Sequence, residues 1–491
     1  MTPTITAAMA AELADANHVC RRPVVRRVHD RQTGAEQTVA MACGATLESR
    51  CPACAHKART LRMQQCREGW HLSEEPARPG VTVNNPATGT SRRVRSTRRR
   101  QGMPNLPKTP MDARTIGTTF TAPDGREYRP SMFVTLTLPS YGAIIPGTGI
   151  PADPARYDYR RAALDALFFS RLVDQFWKAL RRCAGYDVQY FSAVEPQRRL
   201  APHLHAAIRG AIPRQLLRQV ANAVYLQVWW PQFIRVVYSQ ENLPVWAGDG
   251  YADPETGVVL PTWGEAMDAL DADQFARPAH VMRFGTQTDI QGIVAPSADA
   301  DRAIRYLVKY LNKSVAEPYT DADAVDAAHE AHIDRLHAEL RWLPCSEQCS
   351  NWLRYGVQPA GAKEGMVPGS CPKKHHDREH LGLGGRRCLV SRKWSGKTLK
   401  RHRADRAAVV REALEEAGIA APDIERLSAE VQADDGQPRY EWHPVEQSPG
   451  LYTRTILAGI QERHRWRTQY EHAKALRAAR DPVNSNSATS T

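Results

Sequence analysis

His203-Leu204-His205-Ala206-Ala207-Ile208-Arg209 is the stretch on which the fold turns. A period of two sends both histidines to one face of a strand and Leu204, Ala206 and Ile208 to the other, as in a strand laid against a core. Residues 187–195 read as a second strand, joined to the first by a short loop, so that Glu195 and His203 face each other across an antiparallel hairpin. Met132-Phe133-Val134-Thr135-Leu136-Thr137-Leu138 alternates just as strictly, with Val134, Leu136 and Leu138 on one face and Thr135 and Thr137 on the other. Leu164, Phe168, Leu172, Phe176 and Leu180 recur every four residues and predict a helix over 154–183. Pro213 opens a further helix whose buried stripe is Leu216, Leu217, Val220 and Val224. These elements predict an α+β core with a central antiparallel sheet and flanking helices.

Two imidazoles side by side on a rigid strand make half a metal site, and Glu195 supplies a carboxylate from the neighbouring strand. Two histidines and one carboxylate with open positions suit Mg²⁺ or Mn²⁺ that must also hold a substrate oxygen. Gln197 is an alternative to Glu195. About a hundred residues on, Asp301-Arg-Ala-Ile304-Arg-Tyr306-Leu307-Val308-Lys309-Tyr310-Leu311-Asn-Lys313 reads as a helix with Ile304, Leu307, Val308 and Leu311 as its buried stripe. Tyr306 and Tyr310 stack one turn apart, off that stripe, beside Lys309 and Lys313. Phenols next to ammonium groups can attack a phosphate, because the cations favour phenolate and neutralise developing charge. Lys309 could orient the phosphate or be an ordinary exposed helix lysine.

Residues 133–138, then Glu195 with His203-Leu204-His205, then Tyr306-Leu-Val-Lys-Tyr310-Leu-Asn-Lys313 resemble the three motifs, in order, of rolling-circle replication initiators of the HUH endonuclease superfamily. Conjugative relaxases share the histidine motif but place their tyrosine ahead of it. Cys51-Pro-Ala-Cys54, Arg341-Trp-Leu-Pro-Cys345 to Trp352-Leu-Arg-Tyr355-Gly, and Leu389-Val-Ser-Arg-Lys-Trp394-Ser-Gly-Lys397 are similar to initiators of actinobacterial plasmids and integrative conjugative elements. The resemblance spans about 20–473. It implies a plasmid initiator in which His203, His205 and Glu195 hold the divalent ion and a tyrosine attacks the scissile phosphate. The implied products are a 5′-phosphotyrosine enzyme and a free 3′-OH for a polymerase. Tyr310 stands where single-tyrosine relatives keep theirs, so it is the expected first nucleophile, with Tyr306 for the second strand transfer. A two-tyrosine transposase and a non-catalytic zinc-containing DNA-binding regulator are the alternatives.

The 491 residues carry 66 Lys+Arg against 53 Asp+Glu, a formal net charge of +13, which favours a polyanionic partner. DNA is the expected one, single-stranded at the nick, with host helicase and polymerase as possible further partners. A mean hydropathy of −0.51 and no long apolar run argue against a membrane span. The N-terminal stretch lacks a basic start followed by an apolar run, so no secretory signal is visible and the cytoplasm is the expected compartment. There, ten cysteines are better read as metal ligands or buried thiols than as disulfides.

Cys51-x-x-Cys54 is a zinc knuckle, to be completed by Cys20 and Cys43, with Cys66 as the alternative. Cys345-x₃-Cys349 followed by Cys371-x₄-His376 fits a second structural zinc. Cys183 and Cys388 read as plain buried thiols. Arg92, Arg93, Arg95, Arg98, Arg99 and Arg100 form a run suited to DNA phosphates, although a solvated flexible charge run is the plain alternative. Arg386-Arg387 to Arg403, with Trp394 between the charges, suggests a base-stacking aromatic. The expected organisation is an N-terminal zinc module over 1–70, a basic Pro/Gly/Arg-rich linker over 71–130, the catalytic domain over 131–316 with an irregular insertion about 240–278, a C-terminal zinc module over 317–396, a helical region over 397–479 and a disordered tail over 480–491.

Overall fold

A computed structural model describes residues 5–72, 74–76, 103, 105–117, 119–125, 127–309, 311–314, 323–385, 387–416, 418 and 431–480. They fall into two units: residues up to Gln65 together with those from Lys397 onward, and Cys66–Gly396. The first unit thus joins the two ends of the chain. Its N-terminal part holds α1 (Ala7–Ala16), capped by the Thr6 hydroxyl, the strands β1 (Val24–Asp30) and β2 (Glu36–Met41), and α2 (Pro52–Trp70) as far as Gln65.

The second unit runs through β3 (Phe120–Thr121), β4 (Glu127–Leu136), α3 (Tyr159–Ala184), β5 (Tyr190–Pro196), β6 (Pro202–Arg209), α4 (Arg214–Ala223) and β7 (Tyr225–Val228). Then come β8 (Val245–Trp246), β9 (Tyr251–Ala252), α5 (Trp263–Ala272), β10 (His280–Arg283), β11 (Thr288–Ala295), α6 (Ala298–Lys309), α7 (Asp323–Trp342) and β12 (Cys388–Val390). The first unit is completed by α8 (Leu399–Glu416), β13 (Tyr440–Pro444) and α9 (Pro449–Arg480).

In the second unit the main sheet has the order β11-β4-β6-β5-β12, antiparallel throughout, with β3 beside β4. Opposed residues of antiparallel strands share a face, so the pairings Leu136 with Leu204, Val134 with Ala206 and Leu204 with Val194 assemble one apolar face. Helix α3 covers it. Asp158 caps the helix through Arg161 N–H at 2.9 Å, Gly185 ends it with φ 71°, and Phe168, Phe169, Leu172, Phe176 and Trp177 are almost wholly buried. Such a wide apolar stripe belongs to a helix with neighbours on several sides, and α4 and α7 also pack on it.

In the first unit β13-β1-β2 form an antiparallel sheet, and α1 and α8 pack on α9, with Ala10, Ala14 and Ile456 fully buried. Arg439 clasps Asp30 through two hydrogen bonds, 2.9 and 2.7 Å.

Several expectations change. The 240–278 segment contains α5, fixed by a capping box in which the Thr262 hydroxyl accepts from Glu265 N–H and the Glu265 carboxylate accepts from Thr262 N–H. Helix α7 occupies part of the segment expected to be a zinc module; its sequence is rich in alanine and histidine, and Ile333, Leu336 and Leu340 form its buried stripe. Trp394 stacks on no base from the surface. It is fully buried, donates Nε1–H to the Cys66 carbonyl at 3.2 Å and packs on Trp70 and Phe191. Burying so large a ring stabilises the core, and its N–H needs a partner.

Helix α7 also supplies a pH-sensitive contact. The Tyr159 hydroxyl lies 2.8 Å from His332 Nδ1, and burial, with His329 and Arg335 nearby, lowers the histidine from 6.5 to about 4. The unfolded chain takes up this proton near pH 6.5 and the folded chain only near 4. The stability contributed by the neutral ring is therefore complete above about pH 6.5 and lost as pH falls toward 4, up to about 3 kcal/mol. The thermal midpoint should fall less steeply on acidification in His332→Gln than in the unaltered chain, and equal slopes would sink the assignment.

Candidate metal and tyrosine site

On the sheet face opposite α3, register brings the polar residues together. His203 pairs with Glu195, and His205 with Ala193 on one side and Thr135 on the other. Helix α6 lies over this face, packed on β5, β6 and β11, with Ile304, Leu307 and Val308 as its buried stripe. Tyr306 lies off that stripe and keeps 40% of its surface exposed. Its hydroxyl is 3.3 Å from Glu195 Oε2 and 3.4 Å from His205 Nε2, while Glu195 Oε2 and His205 Nε2 are 2.9 Å apart. Three functional atoms from three elements thus converge on one point.

The histidines are held differently. His205 Nδ1 lies 3.0 Å from the Thr135 hydroxyl, and its ring stacks on Phe133 with centroids 6.1 Å apart. Without an ion, Nε2–H donates to Glu195 Oε2 and Nδ1 accepts from the Thr135 hydroxyl; with an ion held, the proton would sit on Nδ1, donated to Thr135, and Nε2 would offer its lone pair as a ligand. His203 is buried, its Nε2 has no hydrogen-bond partner among the described residues, and burial, with the charges of His205 and Arg199, lowers its pKa to about 3. An imidazole kept neutral with an unsatisfied nitrogen is suited to a metal ion. His203, His205 and Glu195 nevertheless do not bring all their ligand atoms within 4.8 Å of one another, unlike the two cysteine clusters below. Gln197, the alternative ligand, uses its Oε1 to accept a hydrogen bond from Arg199 Nε.

Other expected residues divide. Lys309 is exposed at the end of α6, and the Lys313 carbonyl accepts from Arg387 Nη2 at 2.6 Å. Tyr310 and the arginines at 92, 93, 95, 98, 99 and 100 lie outside the described residues. Thr135 and Phe133 went unrecognised as partners of His205; alternation gives their face but not which strand pairs with β4.

Cys20, Cys43, Cys51 and Cys54 cluster in the first unit, with Cys43 and Cys54 sulfurs 3.7 Å apart and Cys20 and Cys51 sulfurs 3.9 Å apart. The edge of a tetrahedron built from zinc–sulfur bonds is about 3.8 Å. Gly44, with φ 68°, allows the turn after Cys43, and hydrogen bonds from the Cys54 thiol and the Cys43 N–H lower the Cys20 thiol to about 5. Cys66 is buried in the second unit, outside this cluster.

Cys345, Cys349, Cys371 and His376 form the other cluster, with Cys345 and Cys371 sulfurs 3.9 Å apart and His376 Nε2 3.5 Å from Cys349 Sγ. His376 Nδ1 bonds the Leu340 carbonyl at 2.7 Å, which leaves Nε2 as the metal-facing nitrogen. Both clusters could bind a structural zinc ion.

No helix among the described residues is long and apolar enough to cross a membrane. Comparison with curated proteins and with solved structures returns no match. The family model RepSA, described as replication initiator protein, pSAM2, matches residues 6–458, so the chain belongs to this family of replication initiator proteins.

Proposed function

We propose that this initiator starts plasmid rolling-circle replication as a metal-dependent HUH-type nickase and strand transferase. The observation that carries the reading is the convergence of Tyr306 Oη, Glu195 Oε2 and His205 Nε2 on one sheet face. His203, His205 and Glu195 would hold Mg²⁺ or Mn²⁺, which supplies Lewis-acid polarisation of the scissile phosphate. A tyrosine hydroxyl gives up its proton as its oxygen attacks phosphorus, the bond to the 3′ oxygen breaks, that oxygen takes up a proton from solvent, and the product is a 5′-phosphotyrosine with a free 3′-OH. The phenol proton of Tyr306 passes to the carboxylate it faces. Tyr310 performs the first attack and Tyr306 the second, and Lys309 and Lys313 steady the phosphate. The arginine run at 92–100 adds backbone grip, and structural zinc in each cysteine cluster fixes the modules around the origin.

The test is incubation of the chain with Mn²⁺ and supercoiled plasmid carrying its origin, followed by denaturing electrophoresis. A covalent protein–DNA adduct that requires metal is expected. Tyr310→Phe should abolish it, while Tyr306→Phe should leave the adduct and block the closing transfer. Adduct formation unchanged in the double Phe variant would sink the proposal.

A further inference from the structure

The unit built from the two chain ends contains a cavity of about 800 Å³ that the site above does not use. One wall is the exposed side of α9 and the other comes from β1, β2 and the segment around Cys20. Among the described residues four cations line it, Lys57, Arg454, Arg463 and Arg467, all exposed, against a single carboxylate, Glu462. Arg463, Trp466, Arg467 and Tyr470 follow i, i+3, i+4, i+7, so cations and half-buried aromatics alternate along one face of the helix. Glu462 is partly engaged, its Oε1 lying 3.4 Å from Trp466 Nε1.

We propose that this groove binds a single strand of DNA, with the cations on successive phosphates and Trp466 and Tyr470 stacked on bases. Charge complementarity favours a polyanion, and aromatic faces one helical turn apart favour unpaired bases, because a duplex keeps its base faces stacked inside. The volume is in the range of about 300–1,000 Å³ that encloses a small ligand, enough for a few nucleotides. The groove would hold one unpaired strand of the DNA on which the chain acts. The proposal rests on the chain's action on DNA and not on the tyrosine chemistry.

The test is fluorescence anisotropy of a labelled single-stranded oligonucleotide with the full chain, without added divalent cation, across a salt series. Removing two phosphate contacts in Arg463→Gln/Arg467→Gln should weaken binding and lower the slope of log affinity against log salt by about 1.4. Trp466→Ala should weaken binding about tenfold with little change in slope. Both arginines are exposed, so the double variant stays folded even if the tryptophan variant does not. Unchanged affinity and slope in the double variant overturn the proposal, and so does a duplex that competes as well as the single strand. The readout needs neither metal nor tyrosine, so it can succeed where adduct formation fails, and the reverse.

Discussion

On the mechanism proposed above, alanine in place of His205 is expected to lower Mn²⁺-supported nicking by at least about 10³-fold while leaving the fold intact. A divalent ion at a developing phosphate charge contributes several kcal/mol, and about 4 kcal/mol corresponds to that factor. The strand tolerates the change because Ala206 and Ala207 already occupy neighbouring positions of β6. His203→Ala should have a similar effect, since its buried Nε2 has no other partner among the described residues.

Thr135→Val provides the graded control. It removes the hydroxyl 3.0 Å from His205 Nδ1 but keeps the shape, so the ring loses its orienting bond and metal-dependent activity should fall about 10- to 100-fold. Raising the Mn²⁺ concentration should recover much of the Thr135→Val loss and little of the His205→Ala loss. The measurement is the initial rate of adduct formation against Mn²⁺ concentration, with the thermal midpoint recorded beside it. If His205→Ala nicks within tenfold of the unaltered chain, the histidine pair is structural and the chemistry lies elsewhere.

What the sequence made legible was what alternation and spacing encode. Period two put His203 and His205 on one face and Leu204, Ala206 and Ile208 on the other, and the short loop set Glu195 opposite His203. Helical spacing separated Tyr306 from the Ile304, Leu307, Val308 stripe. Thr135 was on the right face, but its pairing with His205 depends on β4 docking beside β6, a long-range choice that no local pattern carries.

Trp394 misled because a tryptophan among arginines and lysines looks exposed, whereas residues far away in sequence, Trp70 and Phe191, close over it. The meeting of the chain ends in one unit was equally hidden, since the pairing of β13 with β1 joins segments some four hundred residues apart. The cysteine clusters were easier, because thiols spaced for one metal carry their own geometry in the sequence.

Cys349→Ser should remove one zinc per chain and lower the thermal midpoint of the second unit by roughly 10 °C, corresponding to a loss of about 5 kcal/mol. Cys345 and Cys349 belong to the same apolar core as Leu340, Leu343 and Trp352, so without the ion their thiols have only the weak contacts with Cys371 and His376 to offset burial. The damage should not stay local. The cluster anchors the end of α7 through the His376 bond to the Leu340 carbonyl, α7 packs on α3, and α3 supports the strand that bears the histidines. Adduct formation in Cys349→Ser should therefore decline along with stability, although Cys349 touches none of the site atoms.

Cys66→Ser is the discriminating control, because that thiol is equally buried yet lies outside both clusters; it should keep the full zinc content. Cys51→Ser should lose the other zinc and leave the second unit's melting unchanged. Zinc counted by atomic emission, beside calorimetric melting, reads all three variants. Full zinc retained in Cys349→Ser would show that the Cys349 thiolate is not needed to hold the ion, and its contribution to stability would then come from packing alone.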